Sequence, residues 1–449
     1  MSQEIEKIEY CPEGHSSNDF VCIGNRNFIN SIGTCDLCTK EHFIQEFKTW
    51  SSGNVSTDRI IQESQINSIY EKLQWIPYDN FQNIEHIADG GHGSVYSAKI
   101  ENGIKWRWNF IKQDWENHFT SPEIALKEIK DSRYDIAEFL KMIKTVNNYE
   151  YTTICYGISK NPSTQNYIFV GELFDDSLRN FLTKTFWDLC WQSKLGILRS
   201  TAEGLRILHA RNLVHCNLHS GNILVNYNFD ILDLVIDLGL CKLDDLILNS
   251  NNKNNQVNGS IPYIPQVLRG NDFTRKGDVY SFCGIMYEII TAQRPFADQA
   301  HDTYLMIDIC NGVRPKVSDF MLNWIPEWYL DLMYRCWGDD PSKRPTVIEL
   351  VILFCVVLEK LDNNIVDNDV MRQLQIADES LKNTSKSQKQ ELLELFSHSS
   401  KLHPQSCYIN RPIHTLYGLH DLLEEIKSGK LQILILKSNE SATFNSYYI

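Results

Sequence analysis

Positive charge is what this sequence is short of: 43 lysines and arginines face 57 aspartates and glutamates, a formal net charge of −14 at pH 7. Nucleic acid and anionic membrane both demand basic patches, so neither is expected as the main partner. Long apolar runs are missing too. The longest, Val347 to Leu358, is interrupted by Glu349 and falls far short of the ~20 residues of a membrane helix; it reads as a buried helix. The opening MSQEIEKIEY is acidic and has no apolar core, so it is not expected to act as a secretory leader. No internal repeat is evident. Without a leader, the 13 cysteines are expected as reduced thiols in the cytoplasm or nucleus, and any cluster of them as metal-binding rather than disulfide-bonded.

What is present is enough to build a large folded protein. A hydrophobic share of 43% buries a full core, and 449 residues allow two or three domains. Cys11, His15, Cys22, Cys35 and Cys38 crowd the first segment, residues 1–45. CPEGH and CDLC supply a Cys-x₃-His and a Cys-x₂-Cys, together a four-ligand set for a zinc ribbon, with Cys22 as an alternative to His15. Gly14 stands where a regular first knuckle has its second Cys, so a degenerate ribbon with free thiols is equally open. Residues 46–80, including TWSSGNVSTDRI, read as a linker entering a helix.

From Phe81 the pattern turns strand-like in FQNIEHIA, GSVYSAKI and IALKEI. A Trp-rich excursion, WRWNFIKQDWENHFTSPE, is expected to lay its rings on the outside of that sheet. Residues 133–146 read as an amphipathic helix and YIFVGEL as a buried strand. Beyond Phe186 helical spacing dominates, notably in WDLCWQSKLGILRSTAEGLRILHA, GDVYSFCGIMYEIIT and PTVIELVILFCVVLEKL. The Asn-rich NSNNKNNQVNGS reads as a loop. Residues 361–449 form a polar tail with helices near 387–397 and 419–427. The fold class expected is α+β, with a strand-rich lobe, a helical lobe and a cleft between them.

Motifs follow one another at telling intervals: IADGGHGSVY, IALK, EFLKMI, YIFVGELFDDSL, LVHCNLHSGNILV, VIDLGLCK, GSIPYIPQVL, GDVYSFCG and CWGDDPSKRPT. Over residues 81–360 this order resembles a protein kinase of the tyrosine-kinase-like group. The resemblance implies ATP and Mg²⁺ as cofactors and other signalling proteins as partners. Gly90 and Gly93 would lie over the phosphates, with Val95 and Ala125 against the adenine and Glu172 and Phe174 in the hinge. Lys127 would hold the α and β phosphates, and Asn222 and Asp237 the metal.

The departures fall on the chemistry. Asn217 replaces the catalytic-loop Asp, Cys216 the preceding Arg, and Ala88 the first loop glycine. Met142 replaces the helix Glu, leaving Lys127 without that partner; Glu138, one turn earlier, reaches it only after a helix shift or is simply exposed. Leu238 stands for the Phe that follows the metal-binding Asp, and Gln266 for a Glu that would pair with Arg344. Gly171 at the gatekeeper position implies an open back pocket. Ser260 fits the Ser/Thr-specific pattern, and Asp278 would anchor the catalytic loop. An amide takes no proton at neutral pH, and a lost general base costs ~10²–10⁴ in rate. Two readings therefore stand. One is a pseudokinase that still binds ATP and Mg²⁺; the other is an active Ser/Thr-type kinase using His219 as its base.

Overall fold

The computed structural model describes residues 8–428 except 23, 68–71, 92, 119–122, 131, 133–135, 148, 229–230, 239–240, 244–255, 364, 366–368, 386, 390–402 and 409–410. The N-terminal segment forms a small ribbon (β1, Phe20–Cys22; β2, Asn25–Arg26) and two helices (α1, Asp36–Glu46; α2, Val55–Asn67). Next come β3 (Gln74–Trp75), β4 (Phe81–Gly90), β5 (Gly93–Ile100), the hairpin β6 (Ile104–Asn109) and β7 (Asp114–His118), β8 (Glu123–Ile129), α3 (Ala137–Val146), β9 (Cys155–Lys160) and β10 (Tyr167–Glu172). Six of these strands make one sheet in the order β3-β9-β10-β8-β5-β4. Side chains alternate along a strand. In β8, Ile124 and Leu126 therefore join an outer cluster with Ile168, Val170 and Phe81, while Ala125 and Lys127 fall on the opposite face.

Two corrections concern the segment before the sheet. Residues 46–80 are no linker. Asn54 caps α2 by accepting from the backbone N–H of Ser56 and Thr57 (2.9 and 3.2 Å). Ile60 and Ile61 of α2 are buried in one cluster with Leu140 and Ile143 of α3, and a helix with such an apolar stripe docks rather than dangles. The Trp-rich excursion is likewise not spread over the sheet. Its rings receive α1: Trp108 stacks on His42 with centroids 3.6 Å apart, and Trp115 packs on Phe43 at 4.4 Å.

The second lobe is helical. It contains β11 (Asp176–Ser177), α4 (Leu178–Thr185), α5 (Trp191–Ala210), β12 (Leu213–Val214), β13 (Ile223–Asn228), β14 (Ile231–Ile236), β15 (Lys242–Leu243), β16 (Gln256–Gly259), α6 (Arg275–Thr291), α7 (Thr303–Cys310), α8 (Glu327–Cys336) and α9 (Val347–Asp362). Every residue of α6 from Asp278 to Thr291 is buried, as a helix apolar on all sides must be. Glu349, the charge that broke the apolar run, closes a capping box with Thr346 at the start of α9.

The tail returns to this lobe. α10 (Asp369–Lys382) buries Met371, Leu374, Ala377 and Leu381 at helical spacing. β17 (Arg411–His414) pairs antiparallel with β16, so the end of the expected Asn-rich loop is a strand. Residues 249–255 and most of the helix expected near 387–397 lie outside the described residues, whereas 419–427 falls within α11 (Leu416–Lys427). Among the described residues no helix is long and apolar enough to cross a membrane.

Candidate functional site

Sheet register lines up the cleft-facing residues in rows. Val95 pairs with Lys127, and Lys127 with Phe169; Ser97 pairs with Ala125, and Ala125 with Gly171. At the sheet's rim Gly90 pairs with Gly93. Gly93 has φ +146°, and a Cβ there would run into the Glu128 carbonyl oxygen, so only glycine serves. The back pocket expected beside Gly171 is filled. A Cβ on Gly171 would lie 2.6 Å from the Phe169 ring and 2.7 Å from the Ile154 carbonyl, and Phe169 itself packs edge-on against Phe139 of α3. The hinge is strapped to β13 by Asn226. Its amide donates to Glu172 Oε1 (3.1 Å) and accepts from the Asp175 backbone N–H (3.1 Å). Burial raises the Glu172 pKa. Phe174 beside it is half-buried.

Lys127 does have a partner, which corrects the expectation. Its ammonium meets Asp237 Oδ2 at 2.6 Å, each side chain only about one-fifth exposed (22% and 21%). Met142 cannot play that part because it is buried in the apolar stripe of α3 with Leu140, Ile143 and Val146. Glu138 is exposed and makes no ion pair among the described residues.

The loop between β12 and β13 is built on Asp278 of α6. Its carboxylate accepts from the backbone N–H of His215 (2.8 Å) and Cys216 (3.1 Å) and bonds His209 Nε2 (2.9 Å). Cys216 sits at φ +67°, a left-handed turn that presents both N–H groups to it. His215 Nδ1 accepts from the Asn217 N–H (3.2 Å), so Nε2 carries the proton and donates to the Asp237 carbonyl (3.1 Å). Burial lowers the His215 pKa and keeps the ring neutral. The Asn222 amide donates to the Asn217 carbonyl (2.8 Å), and the Asp237 N–H to the Asn222 carbonyl (2.9 Å). Asn217, Asn222 and Asp237 thus form one bonded unit.

His219 is occupied. Its Nδ1 accepts from the Gly221 backbone N–H (3.1 Å). In a neutral imidazole so engaged the proton sits on Nε2 and the Nδ1 lone pair faces the Gly221 N–H. Gln266 makes no bond to Arg344 among the described residues. The guanidinium donates instead to the Gly338 and Lys276 carbonyls, both at 2.8 Å, since a neutral amide holds it no better than backbone does. Sequence reasoning missed Glu288. This buried carboxylate accepts from Ser220 Oγ (2.5 Å) and Tyr263 Oη (2.8 Å), tying the loop to GSIPY, and burial raises its pKa. An acid in the middle of the apolar run FCGIMYEIIT was the available signal.

A second grouping lies in the N-terminal segment. The ligand atoms of Cys11, His15, Cys35 and Cys38 all fall within 4.8 Å of one another. Cys22 is not among them; its sulfur accepts from Asn25 (3.3 Å).

Residues 81–354 match the protein tyrosine and serine/threonine kinase family. The chain is similar to mouse ankyrin repeat and protein kinase domain-containing protein 1, 28% identical over 61% of this chain and 36% of that protein. It is also similar to mouse receptor-interacting serine/threonine-protein kinase 4, 26% identical over 79% of this chain and 42% of the relative. A probable serine/threonine-protein kinase of Dictyostelium discoideum, roco5, is 27% identical over 66% of this chain and 10% of its own length. The chain thus spans less than half of each relative.

Proposed function

The chain belongs to the protein tyrosine and serine/threonine kinase family, and from that membership we propose that it is a signalling protein that binds ATP with Mg²⁺ but transfers phosphate poorly. The observation that carries this reading is Asn217, seated in an intact catalytic loop. Asn222 and Asp237 suit the metal: both offer hard oxygen ligands, and the Asn222 amide nitrogen is used on Asn217, which leaves its oxygen for a cation. Bound there, Mg²⁺ supplies neutralisation of the phosphate charge. Lys127 adds a cation within 2.6 Å of Asp237. Neither polar candidate in the loop suits proton removal from a hydroxyl. Asn217 is an amide, and the bond from Gly221 to His219 argues against the imidazole. That deficit corresponds to about 3–5.5 kcal/mol of barrier.

Nucleotide binding and phosphotransfer should be measured side by side. Mg²⁺·ATP is expected to raise the melting temperature more than ATP alone, and Asp237→Asn to abolish the difference. Asn217→Asp should raise phosphotransfer to a peptide at least ~10-fold above the unmodified chain. Turnover by the unmodified chain at ~1 s⁻¹ or faster, an ordinary kinase rate, would overturn the proposal, the more so if His219→Ala abolished it.

A further inference from the structure

We propose that Cys11, His15, Cys35 and Cys38 bind one zinc ion in a closed structural site that locks the N-terminal segment onto the Trp-rich hairpin of the strand lobe. With Zn–S near 2.3 Å and Zn–N near 2.0–2.1 Å, a tetrahedral site has edges of about 3.8 Å between sulfurs and about 3.6 Å between sulfur and nitrogen. Four of the six edges here are 3.6 Å for Cys11–Cys38, and 3.5, 3.8 and 3.4 Å from His15 Nδ1 to Cys11, Cys35 and Cys38, and the other two lie within 4.8 Å. Three thiols and one imidazole are a soft set that selects zinc over magnesium or calcium. All three cysteines are buried. His15 Nε2 lies 3.2 Å from Glu41 Oε1, the carboxylate–histidine arrangement that turns the other ring nitrogen to a metal.

The rest of the segment explains why such an ion is needed. The apolar cluster around these residues comprises Cys11, Ile29, Cys35 and Cys38, with Leu37, Trp108 and Phe110 packed on it. So small a core does not hold a fold by itself, and a metal cross-link is the usual remedy. The ligands also sit where they control the docking. Cys35 and Cys38 begin α1, and the same helix carries Thr39, which accepts from the Trp108 N–H (3.1 Å). Further along, Glu46 bonds Lys105 Nζ (2.7 Å) and Trp115 Nε1 (2.9 Å). Fixing the first turn of α1 therefore fixes its grip on β6 and β7.

Metal content of the purified full-length chain tests the proposal. The expected result is about one zinc per chain, with Cys38→Ser lowering it below ~0.2 and Cys22→Ser leaving it unchanged. Replacement by Co²⁺ should give thiolate charge-transfer bands and the visible absorption of a tetrahedral ion. His15→Cys, which keeps four ligands and should keep the fold, is expected to retain the metal and shift those bands. Removing zinc with a chelator should speed amide exchange in Ile104–His118 at least ~10-fold. A chain that arrives without zinc and takes up neither Zn²⁺ nor Co²⁺ overturns the site. Unshifted cobalt bands in His15→Cys overturn the ligand set, and unchanged exchange on metal removal overturns the lock.

Discussion

Lys194 shows what one buried charge does to this protein. Its ammonium in α5 is fully buried and has no hydrogen-bond partner among the described residues; it lies over the rings of Phe186 (5.1 Å) and Trp191 (5.6 Å). Burial pulls its pKa down to about 8, against a partial offset from Asp378. The unfolded chain holds this proton more tightly than the folded one, so stability rises with pH between about 8 and ~10.4. Below pH 8 the whole penalty applies, on the order of 3 kcal/mol. Lys194→Met is therefore expected to melt higher than the unmodified chain at pH 7, with the advantage shrinking by pH 9.5. Melting curves at the two pH values check this; a variant less stable at pH 7 would mean that the ring contacts outweigh desolvation.

Among the described strand pairs, β16 and β17 are the most widely separated in sequence. Ile413 of β17 joins the cluster of Val257, Ile261 and Ile264, Arg411 donates to the His301 carbonyl, and Tyr408 stacks beneath the Arg294 guanidinium at 3.8 Å. Deleting residues 403–428 removes all three contacts and strips β16 of its only strand partner among the described residues. Amide exchange in Gln256–Gly259 is expected to accelerate at least ~10-fold, since an unpaired edge opens readily. Exchange rates that stay put would show that β16 is held from its other side.

The whole molecule depends on a segment ahead of the family domain. Ile60 and Ile61 of α2 are 5% and 0% exposed in the core shared with α3, and Lys144 bonds Glu63 (3.3 Å). Burying two such side chains is worth ~3–6 kcal/mol together, a large part of a total stability of ~5–15 kcal/mol. A chain beginning at Phe81 is therefore expected to lose its cooperative melt or to aggregate, whereas one beginning at Thr49 keeps α2 and its cap and melts cooperatively. Scanning calorimetry of both decides it: equal melting temperatures would show that α2 is an ornament on the lobe.

Period-two alternation in EIALKEI and 3.6-residue spacing from Trp191 onward were enough to predict a strand lobe and a helical lobe, because those patterns are local consequences of backbone geometry. Motif order alone placed Lys127, Asn217, Asn222 and Asp237 along one chain in the roles of a kinase cleft. That Asn217 is an amide where a carboxylate is expected needed no structure, since it is a matter of residue chemistry. Partnership was another matter. Lys127 and Asp237 are 110 residues apart, and nothing local says that this carboxylate, rather than Glu138, meets the ammonium. Phe169 filling the place beside Gly171, α1 gripping Trp108 and Trp115, and β17 closing on β16 are likewise contacts between distant segments. Burial patterns say that a face must be covered; only the packed chain decides by what, because any apolar face of fitting shape satisfies the same local rule.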